Sequence, residues 1–308
     1  VMEPAVGIVG DALIDVVTDA RGAVEHPGGA GLNVAVGIAR LGGRAMLAAP
    51  FADDARGRGL RRLLGTEGVE AVPLPGGRAT GVAESSTRDG EPSYSFSDEI
   101  RNRHYTYPED AERRLGECRA VVVTSFPMGD PEEVERLTAL LSRIGIPVAV
   151  DANARAALLP DRDAYRRGFE RLAGMAALVK VSTEDLGLLY GDGNDARGPG
   201  AHARGLLYLG AAAVVETAGA RGATVHTPEG RSSISPPPLP EPVVNSMGAG
   251  DALMARLALD LGSPRWPGSL VGWPAVLGDA VAIASETCRI DGALLQAPDS
   301  RARSTAWN

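Results

Sequence analysis

Short apolar runs recur along this chain with helix-patterned stretches between them. They are Ala-Val-Gly-Ile-Val-Gly at 5–10, Val-Val-Val at 121–123, Pro-Val-Ala-Val at 147–150 and Leu-Val-Lys-Val at 178–181. Runs this short and this apolar read as strands buried on both faces. Strands alternating with helices require a mostly parallel sheet with helices on both sides, the α/β class. The stretch 131–144 reads as a helix with Pro131 in its first turn. Further strands are expected at 44–49 and 212–217, and a last helix at 273–290. A chain of 308 residues buries a core large enough for one big α/β domain or two small ones; the expectation is a single domain over 1–308.

The chemistry concentrates where a loop opens a helix. Asn245-Ser246-Met247-Gly248-Ala249-Gly250-Asp251 runs into Ala252-Leu253-Met254-Ala255-Arg256-Leu257, which ends near Gly262. Small residues at Gly248, Ala249 and Gly250 let backbone N–H groups approach a ligand, and the unpaired N–H groups of a first helical turn attract an anion. Asp251 adds a carboxylate beside that anion hole. The pair suits phosphoryl transfer: the hole holds the moving group and the carboxylate takes a proton from the attacking hydroxyl. Read alone, Asp251 serves equally well as an acid complementing the helix dipole.

A second glycine loop opens a second helix: Pro27-Gly28-Gly29-Ala30-Gly31-Leu32-Asn33-Val34, with Val34, Ile38 and Leu41 on one apolar face. It falls short of a dinucleotide fingerprint, because Val34 stands where the third glycine belongs. Asn33 reads either as a helix cap or as an amide that donates to and accepts from a hydroxyl. Together the two loops resemble the ribokinase-like (PfkB) carbohydrate kinases, whose signatures are Gly-Gly followed by Asn and a helix, and Asp-Thr-x-Gly-Ala-Gly-Asp. The resemblance spans nearly the whole chain in the right order, with one departure: Asn245-Ser246 replaces Asp-Thr.

The resemblance implies a ribokinase-like fold, with a small β lid formed by segments about 14–26 and 79–106, and phosphorylation of a sugar by ATP and Mg²⁺. Asp15, Gly28, Gly29 and Asn33 would hold the acceptor, whereas Asp11 reads as structural. Arg155 follows a strand in Asp151-Ala152-Asn153-Ala154-Arg155, where α/β sheets place ligands, and would meet the phosphates or a substrate anion, or form a salt bridge. Thr217, Gly219 and Gly222, in a turn like the family's Thr/Ser-x-Gly-x-x-Gly, would lie along ATP together with Ser246. The family's metal-organising Asn-x-x-Glu is degraded here to Ser182-Thr183-Glu184-Asp185, so Asp185, with Glu184 as substitute, is expected at Mg²⁺; the same residues also read as a capping segment. Asp89-Gly90 marks a hairpin turn in the lid. Tyr94, Phe96, Tyr105 and Tyr107 are expected to be exposed there and to serve a homodimer if the lid is an ordinary edge hairpin. The opening Gly10-Asp11-Ala12-Leu13-Ile14-Asp15 and the lid Ser93-Tyr94-Ser95-Phe96 favour a fructokinase-like branch. Ribose, 2-keto-3-deoxygluconate, a nucleoside kinase of the same fold, a non-catalytic sugar-binding relative and a monovalent-cation requirement stay open.

Composition narrows the remaining classes. A formal charge of −8 argues against a nucleic-acid partner. Lys180 is the only lysine, which excludes a Walker loop with its Gly-Lys-Ser/Thr. Cys118 and Cys288 provide neither a disulfide framework nor zinc spacing and are expected to be buried free thiols. No apolar run approaches the roughly 20 residues of a membrane span, and no secretory signal is visible, so a cytoplasmic location is expected. Residues 236–242 read as a proline-rich connector, and the last ten residues as frayed.

Overall fold

The computed structural model describes residues 4–19, 22–88, 91–191, 200–239, 243–289 and 292–295. The expected turn at 89–90, residues 20–21 of the expected lid segment, residues 240–242 of the connector, position 290 of the expected last helix and the last ten residues lie outside that set. The described strands, in chain order, are β1 (Val6–Val9), β2 (Leu13–Asp19), β3 (Gly22–Gly28), β4 (Ala45–Ala49), β5 (Glu70–Pro73), β6 (Val82–Arg88), β7 (Glu91–Phe96), β8 (Ala120–Val123), β9 (Val148–Asp151), β10 (Leu178–Ser182), β11 (Val214–Thr217), β12 (Ala223–Thr227) and β13 (Gly230–Ile234). Nine of them form one sheet in the order β13-β12-β11-β10-β9-β8-β1-β4-β5. It is parallel from β11 to β5, and the β11–β12–β13 edge is antiparallel.

The period-2 alternation of strands divides each apolar run between two cores. Val121 and Val123 face one side with Leu137, Leu141, Phe169 and Leu189 from the helices Pro131–Ile144, Arg162–Ala173 and Thr183–Tyr190. Val122, Ile8 and Leu47 face the other side, against the helices Ala30–Arg40, Ala249–Asp260 and Trp273–Thr287. Both faces are thus covered, as all-apolar strands require. The helix Pro131–Ile144 forms as read: Asp130 caps it by accepting from the Glu132 and Glu133 N–H groups, and Gly145 ends it at φ 64°. No helix among the described residues is long and apolar enough to cross a membrane.

The helix Ala30–Arg40 departs from the single apolar face expected of it. It is buried from Ala30 to Ile38, because it lies between the sheet and the helix Ala249–Asp260. The two helices approach through Gly37: a methyl group there would sit 2.8 Å from the Ala255 Cβ. One turn earlier on each helix stand Asn33 and Asp251, which the i, i+4 relation places on those same facing surfaces. The glycine contact therefore brings the two motif loops together.

The remaining four strands make a second sheet, β3-β2-β6-β7, which is the lid. Its aromatic residues do not all behave as expected. Tyr105 and Tyr107 are not exposed lid residues. Tyr105 is wholly buried, its ring 4.9 Å from that of Phe126, and its hydroxyl donates to the Gly10 carbonyl at 3.0 Å. Tyr107 packs partly buried against the same core. Tyr105 thus ties the chain leaving the lid to the end of β1. Tyr105→Phe leaves the Gly10 carbonyl without that donor and is expected to destabilise the fold by about 1–2 kcal/mol. Urea or thermal unfolding measures it, and an unchanged midpoint would show that the hydroxyl contributes nothing.

Candidate active site

The carboxyl ends of the strands, the lid and the two glycine loops enclose a cavity of about 950 Å³. At its floor the Asn33 Nδ2 donates to Asp251 Oδ2 at 2.8 Å, a bond across 218 positions of sequence. Asn33 is buried, and its Oδ1 has no protein partner. An amide spending its donor on a carboxylate while its acceptor is left for the cavity suits an incoming hydroxyl. Burial raises the Asp251 pKa to about 6, against the lowering effect of the Asn33 bond.

Gly248 caps the Ala249–Asp260 helix at φ 75°, a left-handed conformation that disfavours side chains, and a methyl group on it would strike the Ala293 carbonyl. The expected anion hole needs one correction. The Ala249 N–H turns back to the Ser246 carbonyl at 3.3 Å, so the donors that remain at the helix start are those of Gly248 and Gly250, with Asp251 beside them. Asn245 Oδ1 accepts from the Met247 N–H at 2.9 Å, which folds the loop over the helix start.

On the lid side Asp15 lies on β2, and Gly28 is on the neighbouring strand. The carboxylate occupies the space a Gly28 side chain would need; a methyl group there would collide with it. Burial raises the Asp15 pKa to about 7; the Asp11 and Asp251 carboxylates add to this and Arg155 opposes it. Gly29, at φ 99°, starts the helix Ala30–Arg40 against the Asp11 backbone. Asp11 has the structural contacts expected of it, accepting from the Ser125 Oγ at 2.7 Å and the Gly31 N–H at 3.2 Å. Arg155 lines the same wall, its guanidinium donating to the Ala154 carbonyl. Ser125 and Asn153 hold positive φ of 47° and 38° at the ends of β8 and β9, strained positions that line the cavity.

Thr217, Gly219, Gly222 and Ser246 also line the cavity. The turn Gly219–Arg221 connects antiparallel β11 and β12, a hairpin whose residues line the cavity. Asp185 makes a capping box with Ser182: its Oδ2 accepts from the Ser182 N–H and Oγ at 2.7 and 2.8 Å, and its Oδ1 from the Ala154 N–H at 2.8 Å. Glu184 is exposed at the cavity wall. Cys288 is only partly buried and lines the cavity, whereas Cys118 is buried as expected.

Lys180 stands on β10, within a run that reads as an apolar strand, and it also belongs to the site. Its Nζ lies 3.0 and 3.2 Å from the two oxygens of buried Asp151 and lines the cavity beside Gly250. The signal was available: a lone lysine within an apolar buried run requires a partner.

A parallel sheet with loops at its carboxyl ends, two glycine loops meeting at a carboxylate and a β lid together suit phosphoryl transfer. The pfkB family carbohydrate kinase model matches residues 4–287. The chain is 29% identical to the fructokinase of Klebsiella pneumoniae over 297 residues, covering 93% of this chain and 92% of that one. It is 29% identical over 265 residues to the aminoimidazole riboside kinase of Salmonella typhimurium, covering 83% and 80%. The solved Salmonella enterica aminoimidazole riboside kinase, complexed with aminoimidazole riboside and an ATP analogue, superposes with a TM-score of 0.76 at 26% identity, over 96% of this chain and 97% of that one. This chain belongs to the pfkB family of carbohydrate kinases.

Proposed function

We propose that the protein transfers the γ-phosphoryl group of ATP to a hydroxymethyl group of a small neutral sugar, with a fructose-like acceptor favoured. The observation that carries this reading is the Asn33–Asp251 bond, which puts the carboxylate of one glycine loop against the acceptor side formed by the other. Asp15, Asn33, Gly28, Gly29 and Arg155 hold the sugar. Asp251 takes the proton of its hydroxyl, and the first-turn N–H groups steady the phosphoryl oxygens. Thr217, Gly219, Gly222 and Ser246 lie along ATP. The 29% identity to a fructokinase over nearly the whole chain supports the acceptor class. The test is acceptor-dependent ADP release with fructose, ribose, 2-keto-3-deoxygluconate and nucleosides. Release with none of them favours a sugar-binding relative without catalysis; exchange of sodium for potassium scores any monovalent-cation requirement.

A second reading, a nucleoside kinase, has one observation of its own: Phe96 reaches the cavity from the lid, where a base would stack. Likeness to the aminoimidazole riboside kinase supports it, and the same panel decides.

Mg²⁺ would offset charge on the β- and γ-phosphates. The donor set fits it in part: exposed Glu184 has the chemistry to hold a hydrated ion, while both Asp185 oxygens already serve the capping box and Ala154. The variant Ser182→Asn/Asn245→Asp, which restores the first residue of each family motif, is expected to lower the half-saturating Mg²⁺ concentration roughly tenfold. An unmoved Mg²⁺ titration would show these positions to be neutral. The reading also includes a single kinase domain over 1–308, a cytoplasmic location, where ATP is supplied, and a homodimer through the lid, whose paired Val17 and Val24 are 37% and 54% exposed. Sedimentation measures the last.

A further inference from the structure

Lys180 is the chain's only lysine, against 31 lysines and arginines in total. It stands on a central strand. Val179 and Val181 turn into one core, so the alternation of the strand sends Lys180 to the other face, beneath the helix Ala249–Asp260. Its parallel neighbour in register is Asp151. Both are buried, at 6% and 0% exposure. A buried ion pair seldom stabilises a fold more than apolar residues of the same size would. Its place beside a cavity therefore needs another explanation.

Three observations supply one. First, the ammonium reaches the anion hole: a methyl group on Gly250 would lie 3.0 Å from Nζ, so glycine at that position leaves the approach open. Second, an ammonium has three donors, and its bonds to Asp151 leave it donor capacity toward the cavity. Third, the charge count at the phosphate end is short of cations. Among the described residues lining the cavity, Lys180 and Arg155 are the cationic side chains, and Lys180 is the one that stands beside Gly250. Burial works against the ammonium, but the Asp151, Asp185 and Asp251 carboxylates outweigh it and raise its pKa, so it stays charged.

We propose that Lys180 is a catalytic residue of the phosphoryl transfer, its ammonium contacting the oxygens of the moving group beside Gly250 while Asp151 holds it in place. This rests on the kinase reading above. In the step the acceptor oxygen bonds to phosphorus, the bond from phosphorus to the ADP oxygen breaks, and the hydroxyl proton passes to Asp251. Lys180 keeps its proton and balances charge on the equatorial oxygens.

Because the chain has one lysine, ¹⁵N-lysine labelling of the unaltered protein gives one side-chain amine signal. ADP with Mg²⁺ and aluminium fluoride, a mimic of the moving group, is expected to shift that signal; ADP with Mg²⁺ alone is expected to leave it within its line width. Lys180→Met/Asp151→Asn, which removes both charges together, is expected to keep ADP affinity within threefold. It should lose at least tenfold in retention of aluminium fluoride and about 10²-fold in kcat. A signal that aluminium fluoride does not move while ADP binds would overturn the proposal, as would a double variant that retains the fluoride like the parent. A parent that neither binds ADP nor releases it with any acceptor would remove the kinase reading and this role together. A parent that turns over with a still lysine signal would remove this role alone. Should the double variant fail to fold, the signal of the unaltered protein decides.

Discussion

Asp251→Asn is expected to reduce kcat by roughly 10²–10⁴ while ATP and acceptor bind with near-normal affinity. The protonated acceptor hydroxyl is a poor nucleophile, and Asp251 is the carboxylate held at the floor of the cavity by Asn33. The amide keeps the size of the side chain and can still accept from Asn33 through its own oxygen, so the loops stay joined. The variant should fold, since one acid in a helix's first turn contributes only about 0.3–1 kcal/mol through the dipole. The sign of the pH dependence follows from burial, which raises the Asp251 pKa to about 6. The base is active when deprotonated, so kcat should fall as pH drops through about 6, and the variant should lose that acid limb. Acceptor-dependent ADP release, beside calorimetric binding on a variant checked for folding, measures both. Turnover within about threefold of the parent would reduce Asp251 to a dipole-complementing residue and remove the chemistry proposed here.

Asp15→Ala should raise the acceptor KM by roughly one to two orders of magnitude, the equivalent of a lost charged hydrogen-bond partner at about 1.5–3 kcal/mol. Gly28→Ala provides an independent route to the same defect: the charge remains, but the new methyl group displaces the carboxylate from its seat. A large rise in the KM for ATP with an unchanged acceptor value would overturn the assignment. The same carboxylate predicts a separation of stability from binding. Its folded pKa of about 7 lies above the ordinary aspartate value of 3.8, so the folded protein binds the extra proton between those values. Stability is therefore full below pH 3.8 and is lost as pH rises through about 7. Asp15→Asn should thus raise the thermal midpoint at pH 8, while acceptor affinity falls, and change it little at pH 4.

Local signals carried most of the fold into the sequence. Asp130, Pro131 and Gly145 mark a helix at both ends through capping and φ preference, and apolar runs mark strands because a polar group between two helix layers needs a partner, as Lys180 has in Asp151. The loops at Gly28–Gly29 and Gly248–Gly250 were legible for the same reason, since backbone approach needs glycine wherever it occurs. Contacts distant in sequence were not legible. Nothing near Asn33 announces Asp251, because only the Gly37–Ala255 approach brings them together. Tyr105 looked like a lid aromatic until the Gly10 carbonyl turned up beside its hydroxyl. At Ser182–Asp185 two readings were open, and the hydrogen bonds support the capping box.

The order of the strands has a consequence for how the chain is made. Starting from β1, the sheet extends on one side through β8, β9, β10, β11, β12 and β13, the order in which these strands leave the ribosome. Each can dock on a template already present. The helix Ala30–Arg40 has no such fortune: the helix that covers it begins at Ala249. The 218 positions between Asn33 and Asp251 correspond to about 10–40 s of synthesis at ~5–20 residues per second. Through that interval Val34, Ala35 and Ile38 belong to a nascent chain whose apolar seam still lacks the helix that seals it.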